Sequence, residues 1–187
     1  MSTTHDQATI ASYKKKKFEI TFKYMDVNKD GILDMEEFMY FPKKLISSGK
    51  KELGEQLTAM YNEGWGRLCD AINLPRDTAS LTKDQWLTAH QEVNKTAWFA
   101  ETAIPSSARI YFDSLDSDHD GTISLKQWRE YNKNRGLTDE SVIQSTFNRL
   151  DTDGDGRISR EEMKHAIVQF HLGEDPSDDY SFLYAIN

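Results

Sequence analysis

Three stretches of this 187-residue chain set oxygen-bearing side chains at one repeated stride. In residues 151–162, DTDGDGRISREE, Asp151, Asp153 and Asp155 stand at positions 1, 3 and 5 of a dodecamer, Gly156 at 6, Ser159 at 9 and Glu162 at 12. Short carboxylates at alternate positions converge when the backbone curls tightly, and a glycine at 6 lets the curl pass through positive φ. Arg157 at 7 contributes its main-chain carbonyl, Ser159 can hold a bridging water, and Glu162 can give both oxygens at once. The donors are all oxygen, the chemistry of a hard divalent cation, calcium above all. Residues 26–37, DVNKDGILDMEE, repeat the pattern with Asp26, Asn28, Asp30, Gly31, the Ile32 carbonyl, Asp34 and Glu37. The acid at position 9 tightens binding and adds repulsion when the cage is empty. Residues 116–127, DSDHDGTISLKQ, repeat it again with Asp116, Asp118, Asp120, Gly121, the Thr122 carbonyl and Ser124, but end on Gln127. A neutral amide gives one oxygen where glutamate gives two and a charge. The expectation is therefore two strong calcium sites and a weaker third, with magnesium as a competitor.

Helices must carry these loops. Phe18, Phe22 and Met25 form an apolar stripe entering the first, and Phe38, Phe41 and Leu45 leave it, with Pro42 expected to kink or shorten the exit helix. Lys14 to Lys17, ahead of Phe18, are expected to face water. Leu57, Trp65, Leu68, Cys69 and Ile72 form a second entering helix. The second loop, from Asn73 to Gln85, is one residue too long for the pattern and has Pro75 and Arg76 where ligands belong; Asn73 and Asp77 are its only plausible side-chain oxygens. It is expected to keep the fold without the ion. Thr82 and Gln85 then spell a capping box. Pro105 suits the first turn of the next helix, which carries Ala108, Phe112 and Leu115 into the third loop. Trp128 and Tyr131 leave it, Gly136 closes that helix, and Thr138, Asp139 and Glu140 open the next. Ile143, Phe147 and Leu150 precede the fourth loop; Met163, Ile167 and Phe170 come after it. Tyr180, Leu183, Tyr184 and Ile186 make the tail too apolar to hang free, so it is expected to cover a hydrophobic cleft.

The loops begin at residues 26, 73, 116 and 151, intervals of 47, 43 and 35, so four helix-loop-helix units of EF-hand pattern repeat along the chain. Such units pair through the apolar residue at position 8, which predicts Leu33 against Leu81 and Ile123 against Ile158 in short antiparallel two-stranded ribbons. The fold class expected is all-α, two EF-hand pairs in one compact globule, with residues 1–100 as the N-terminal pair and 101–187 as the C-terminal pair and tail.

Thirty-one acids against 23 bases give a net charge of −8, which disfavours nucleic acid as a partner and suits a cation binder. The single cysteine, Cys69, excludes an internal disulfide and fits a reducing, cytoplasmic setting. The start, MSTTHDQATI, lacks an apolar signal core, Ser2 is not the glycine that myristoylation needs, and no stretch is apolar enough for a membrane span. No nucleophile elbow, phosphate loop or histidine metal pair points to an enzyme. A monomer without an evident protein target is expected.

Loops one, three and four with acids at 1, 3 and 5, the ion-free second loop, the helix containing Trp65 and the ending QFHLGEDPSDDYSFLY together resemble the sarcoplasmic calcium-binding protein group, with calerythrin, calexcitin and the coelenterazine photoproteins as relatives. The resemblance implies an intracellular calcium and magnesium buffer. Two alternatives accompany it. One is a calexcitin-like sensor that exposes a groove for a target; against it, the methionines are scattered, and Trp86 and Trp128 are expected in the core. The other is a coelenterazine-binding protein or photoprotein, since Trp128 and Tyr131 match those relatives' Trp-x-x-Tyr segment. Their histidine on the last exit helix, however, corresponds to Ile167, and the chain ends at Asn187 where theirs ends in proline. His165 and His171 are expected at the surface and partly buried, respectively.

Overall fold

The computed structural model describes residues 6–184. Asp6 caps the first helix, α1 (Gln7–Met25), by accepting a hydrogen bond from the Thr9 amide at 2.8 Å, and Tyr13, Phe18 and Phe22 form its buried face. Of the four consecutive lysines on α1, Lys15 and Lys16 are exposed as expected, but Lys17 is buried. Its Nζ donates to the Gly173 carbonyl at 2.6 Å and, at 3.4 Å, to that of Gln169, at the end of the last helix. A cation at a helix C-terminus satisfies carbonyls that have no partner inside the helix. The lysine run therefore ties the two ends of the chain together, and Lys14 pairs with Glu174 beside it.

The first loop leads through β1 (Ile32–Asp34) into α2 (Met35–Phe38) and α3 (Tyr40–Ser47), separated at Met39. The cause is Pro42. It brings no N–H for the Phe38 carbonyl, and its ring crowds that oxygen, so the interruption falls three residues upstream of the proline. α4 (Lys51–Ala71) packs against α3 through Gly54, where an added Cβ would collide with Ile46 and sit 2.9 Å from the Pro42 carbonyl oxygen. β2 (Ser80–Thr82) comes next, then α5 (Lys83–Val93), headed by the capping box of Thr82 and Gln85. A π-helical turn, Phe99–Ala103, runs straight into α6 (Ile104–Leu115), whose first turn contains Pro105. The wider turn passes the Ile104 amide to the Phe99 carbonyl just before the proline, a place where the bonding register has to shift. β3 (Thr122–Ser124), α7 (Leu125–Asn134), α8 (Glu140–Leu150), β4 (Arg157–Ser159), α9 (Arg160–Leu172) and a 3₁₀ turn at Ser181–Tyr184 complete the chain. Gly136, at φ +90°, closes α7 as expected, while the cap of α8 is Asp139 rather than Thr138.

The strands pair β1 with β2 and β3 with β4, both antiparallel. Leu33 lies opposite Leu81 and Ile123 opposite Ile158, the register read from position 8, and all four are fully buried. One core cluster runs through both pairs of units, with Trp65, Trp86 and Trp128 inside it. The tail lies against α1 and α9: the Tyr13 hydroxyl donates to the Asp178 carbonyl at 3.0 Å, Leu183 is buried, and the Tyr184 ring lies 4.5 Å from that of Phe170. Ile186 lies outside the described residues. No helix among the described residues is long and apolar enough to cross a membrane.

Candidate metal centres and the central cavity

Each oxygen-rich loop starts on the C-cap of a helix and ends inside a capping box of the next, so position 1 and positions 9 and 12 are fixed by helix ends. Asp26, Asp116 and Asp151 are those C-caps, and Asp34 with Glu37, Ser124 with Gln127 and Ser159 with Glu162 form the boxes. Gly31, Gly121 and Gly156 take φ of +80°, +85° and +83°, the turn expected of position 6. Position 4 is left-handed too: Gly154 adopts it freely, whereas Lys29 and His119 adopt it with side chains, at φ 61° and 56°.

Carboxylate oxygens of Asp116, Asp118 and Asp120 lie within 4.8 Å of one another, as do those of Asp151, Asp153 and Asp155. Asp116 Oδ1 and Asp151 Oδ1 are buried with no hydrogen-bond partner. A buried carboxylate oxygen without a donor carries a large desolvation cost, and a cation is the natural partner for one surrounded by further acids. The residues present therefore fit calcium. In loop one, Asp26 accepts from the Asp30 and Gly31 amides at 3.2 and 3.1 Å, Asn28 Oδ1 from Asp30 at 2.8 Å, and Glu37 Oε1 from the Asn28 amide at 3.1 Å, so the side chains at 1, 3 and 12 turn inward together. In loop four, Glu162 Oε1 accepts from the Thr152 amide at 2.7 Å and Oε2 from the Ser159 amide at 2.7 Å. Partial burial raises the Glu162 pKa, but the bonds from Ser159 and Thr152 outweigh it and hold the group below the usual carboxylate range, charged and ready for a cation.

Loop three differs at Gln127. Its Oε1 takes the box position, accepting from the Ser124 amide at 2.7 Å, while its Nε2 donates to Asp118 Oδ1 at 3.0 Å. An N–H thus faces the cage where Glu37 and Glu162 present oxygen. Arg157, singled out for its carbonyl alone, also reaches across the ribbon. Its Nη1 lies 2.7 Å from both Asp120 Oδ2 and Thr122 Oγ1, placing a positive charge of loop four beside a ligand of loop three.

The second loop holds no such group among the described residues. Its helix ends one residue earlier than expected, on the C-cap Ile72, so the span from the cap through Gln85 is fourteen residues, against twelve from Asp26 through Glu37. The loop is thus two residues too long rather than one. Arg76 lies back along α4, with its Nε 3.0 Å from Asp70, and Trp65 Nε1 donates to the Thr78 carbonyl at 2.9 Å.

A second feature lies between the two pairs. A cavity of about 160 Å³ is lined by side chains of α1, α4, α5, α6, α7 and α9 and by the tail. Trp86, His90, His171, Tyr131, Arg135 and Tyr184 bring polar atoms to its wall. Trp86 Nε1 and both ring nitrogens of His90 are buried there with no partner. His171 is partly buried, as expected, but it lines this cavity and lies 3.1 Å from the Tyr184 hydroxyl through Nε2; His165 is at the surface, as expected. Burial pushes His90 down to about 4 and, with His90 and Lys17 nearby, His171 to about 3, so both rings are neutral at physiological pH. An outer groove of about 880 Å³ shares Tyr24, Phe41, Tyr61, Arg135 and Tyr184 with the cavity as a partition, and Asp26 and Glu37 of loop one also line that groove.

Residues 106–180 match the EF-hand domain pair family and residues 18–41 match the EF hand family. The chain is an EF-hand protein. Luciferin-binding protein of Renilla reniformis is 23% identical to this EF-hand protein over 168 residues, 89% of this chain and 90% of that one. The sarcoplasmic calcium-binding protein of Mizuhopecten yessoensis is 25% identical over 169 residues, 88% and 93% of the two chains. Among solved structures, the calcium-loaded apo form of the coelenterazine-binding protein from Renilla muelleri superposes with a TM-score of 0.63 at 21% identity, over 96% of this chain and 98% of that one, a likeness of fold. Calcium binding is thereby supported for the EF-hands of this chain, and the resemblance to the sarcoplasmic group with its photoprotein relatives is compatible with these matches.

Sequence reasoning passed over the wall of the cavity in this EF-hand protein. The helical pattern of α5 singles out Trp86, as core, and not His90, and Arg135 reads only as part of a helix end. The unpartnered ring nitrogens of Trp86 and His90 and the tyrosine rings around Arg135 appear only in the packed structure.

Proposed function

We propose that the protein is a calcium-dependent carrier of an aromatic small molecule, with calcium in loops 26–37, 116–127 and 151–162 and a heteroaromatic ligand of the coelenterazine class in the central cavity. The observation that carries this reading is that Trp86 and His90, whose ring nitrogens are buried without hydrogen-bond partners, both line that cavity. A buried donor without an acceptor costs about 1–3 kcal/mol, and a core selected for packing alone would not collect several at one void. A ligand offering hydrogen-bonding atoms between the rings removes that cost. The names of the Renilla relatives, luciferin-binding and coelenterazine-binding, support the class. At about 160 Å³ the cavity alone suits one or two rings. A larger ligand extends through the partition toward the outer groove, which brings the space into the range usual for drug-sized ligands, roughly 300–1,000 Å³.

Calcium has a short path to this wall. Met25, a wall residue, precedes Asp26 directly, and Phe38, another, comes directly after Glu37. Carriage rather than light emission is the proposed activity, because the position that the resemblance gives to the photoproteins' histidine is Ile167, a wall residue without a ring nitrogen. The free thiol of Cys69 agrees with a cytoplasmic monomer. An intracellular calcium and magnesium buffer is the second reading, favoured by the likeness to the sarcoplasmic calcium-binding protein of Mizuhopecten yessoensis.

Titrating coelenterazine into the protein while following tryptophan fluorescence tests the proposal. Saturable one-to-one binding is expected, with an affinity that changes at least tenfold between chelator and millimolar calcium and falls in Trp86→Phe and His90→Phe. Absence of binding, with magnesium competing for the loops, would establish the buffer instead.

A further inference from the structure

Among the residues lining the inner cavity, Arg135 carries the only formal charge, and no aspartate or glutamate shares that wall. Its guanidinium is held between the rings of Tyr24 and Tyr131, 4.8 and 5.0 Å from their centroids, beside the hydroxyl of Tyr111. No carboxylate among the described residues forms an ion pair with it: Nε is buried and unpartnered, and the remaining donors meet only neutral oxygens, the Tyr111 hydroxyl and, from Nη1 at 3.5 Å, the Leu183 carbonyl. Aromatic faces stabilise a cation, but they leave in-plane N–H donors unused. A planar fork whose Nε–H is unpartnered and whose other contacts are neutral oxygens, on the wall of a void, can receive an oxyanion through two parallel hydrogen bonds.

We infer that Arg135 is an anion receptor, and that the ligand of this cavity carries an acidic oxygen group, a carboxylate, sulfate or phosphate, on its aromatic frame. This rests on the cavity-binding reading proposed above and narrows it. The ring system sits against Trp86, His90 and Phe99, while the anion points to the partition, where Arg135 belongs to both the cavity and the outer groove. The same contact links the ligand to the tail, because Leu183 and Tyr184 form the neighbouring wall.

A matched pair of dyes tests this: 8-anilinonaphthalene-1-sulfonate, which is anionic, and N-phenyl-1-naphthylamine, which has the same rings without charge. Energy transfer from tryptophan reports binding at the cavity. The wild type is expected to prefer the sulfonate at least tenfold, Arg135→Met to lose that preference with the neutral dye changed less than threefold, and Arg135→Lys to retain part of it. Benzoate, phenyl sulfate and phenyl phosphate, against neutral anisole, then rank the anion by displacement of the sulfonate. Displacement by none of the three, or equally by anisole, would overturn the inference. If Arg135 serves only to latch the tail, Arg135→Met weakens both dyes in parallel and lowers the melting temperature, and the inference fails while the cavity stands. If neither dye nor coelenterazine binds, the cavity reading itself fails and takes this one with it.

Discussion

Replacing Gln127 by glutamate separates the cost of an empty cage from its gain on filling. In the structure the Gln127 amide donates to Asp118 Oδ1 at 3.0 Å, and Gln127 itself is 8% exposed. A glutamate at this position cannot make that bond and faces Asp118 with like charge. Hydrogen bonds to charged groups are worth about 1.5–3 kcal/mol, and since Asp118 is exposed, solvent screens the added repulsion. The calcium-free variant should therefore lose about 1–3 kcal/mol, which at about 2–4 °C per kcal/mol for a domain of this size lowers its melting temperature by roughly 2–12 °C. With calcium the order reverses: a second oxygen and a full charge are expected to tighten the third site at least tenfold, about 1.4 kcal/mol. Scanning calorimetry in chelator and in calcium, paired with calcium titration calorimetry, reads both halves. A Gln127→Glu variant that melts like the wild type in chelator, or titrates like it with calcium, would refute the assignment of Gln127 to position 12 of a working loop.

Two further outcomes rest on the same geometry. Leu81→Ala, which empties the fully buried partner of Leu33 in the loop without a carboxylate cluster, should cost about 2–5 kcal/mol and weaken calcium binding at loop one; unchanged affinity there would show that the ribbon does not couple the pair. His90 and His171 should make the fold acid-sensitive. Their folded pKa values, about 4 and about 3, lie below the ordinary 6.5, so below that value the unfolded chain takes up protons that the folded one refuses. Stability present above pH 6.5 is thus lost between pH 6.5 and 4, by about 2 kcal/mol per histidine at pH 5. Urea titrations at pH 7 and 5 should show this loss, and should show it halved in His90→Phe.

The parts of the fold that depend on neighbours in the chain were legible in the sequence. The dodecamers, their glycines, the capping box of Thr82 and Gln85 and the pairing of Leu33 with Leu81 are all set by spacing, since a loop closed by two helix ends leaves little freedom. What depends on distant residues was not legible. Lys17 reads as one of four solvated lysines until Gly173 arrives from the far end of the chain to accept from it. His171 reads as an ordinary partly buried histidine, and its place on the cavity wall shows only when the tail brings Tyr184 to it. Arg135 looks like an ordinary basic residue near a helix end, and becomes unusual only when three helices place tyrosines around it and no acid.

The claim on which the rest depends is that three of the four loops bind calcium and the second does not. Anomalous diffraction from crystals grown in calcium tests it directly. The account predicts peaks inside residues 26–37 and 151–162 at full strength, a weaker one inside 116–127, and none between Asn73 and Gln85. Empty cages beside Glu37 and Glu162, or an ion near Arg76, would contradict it.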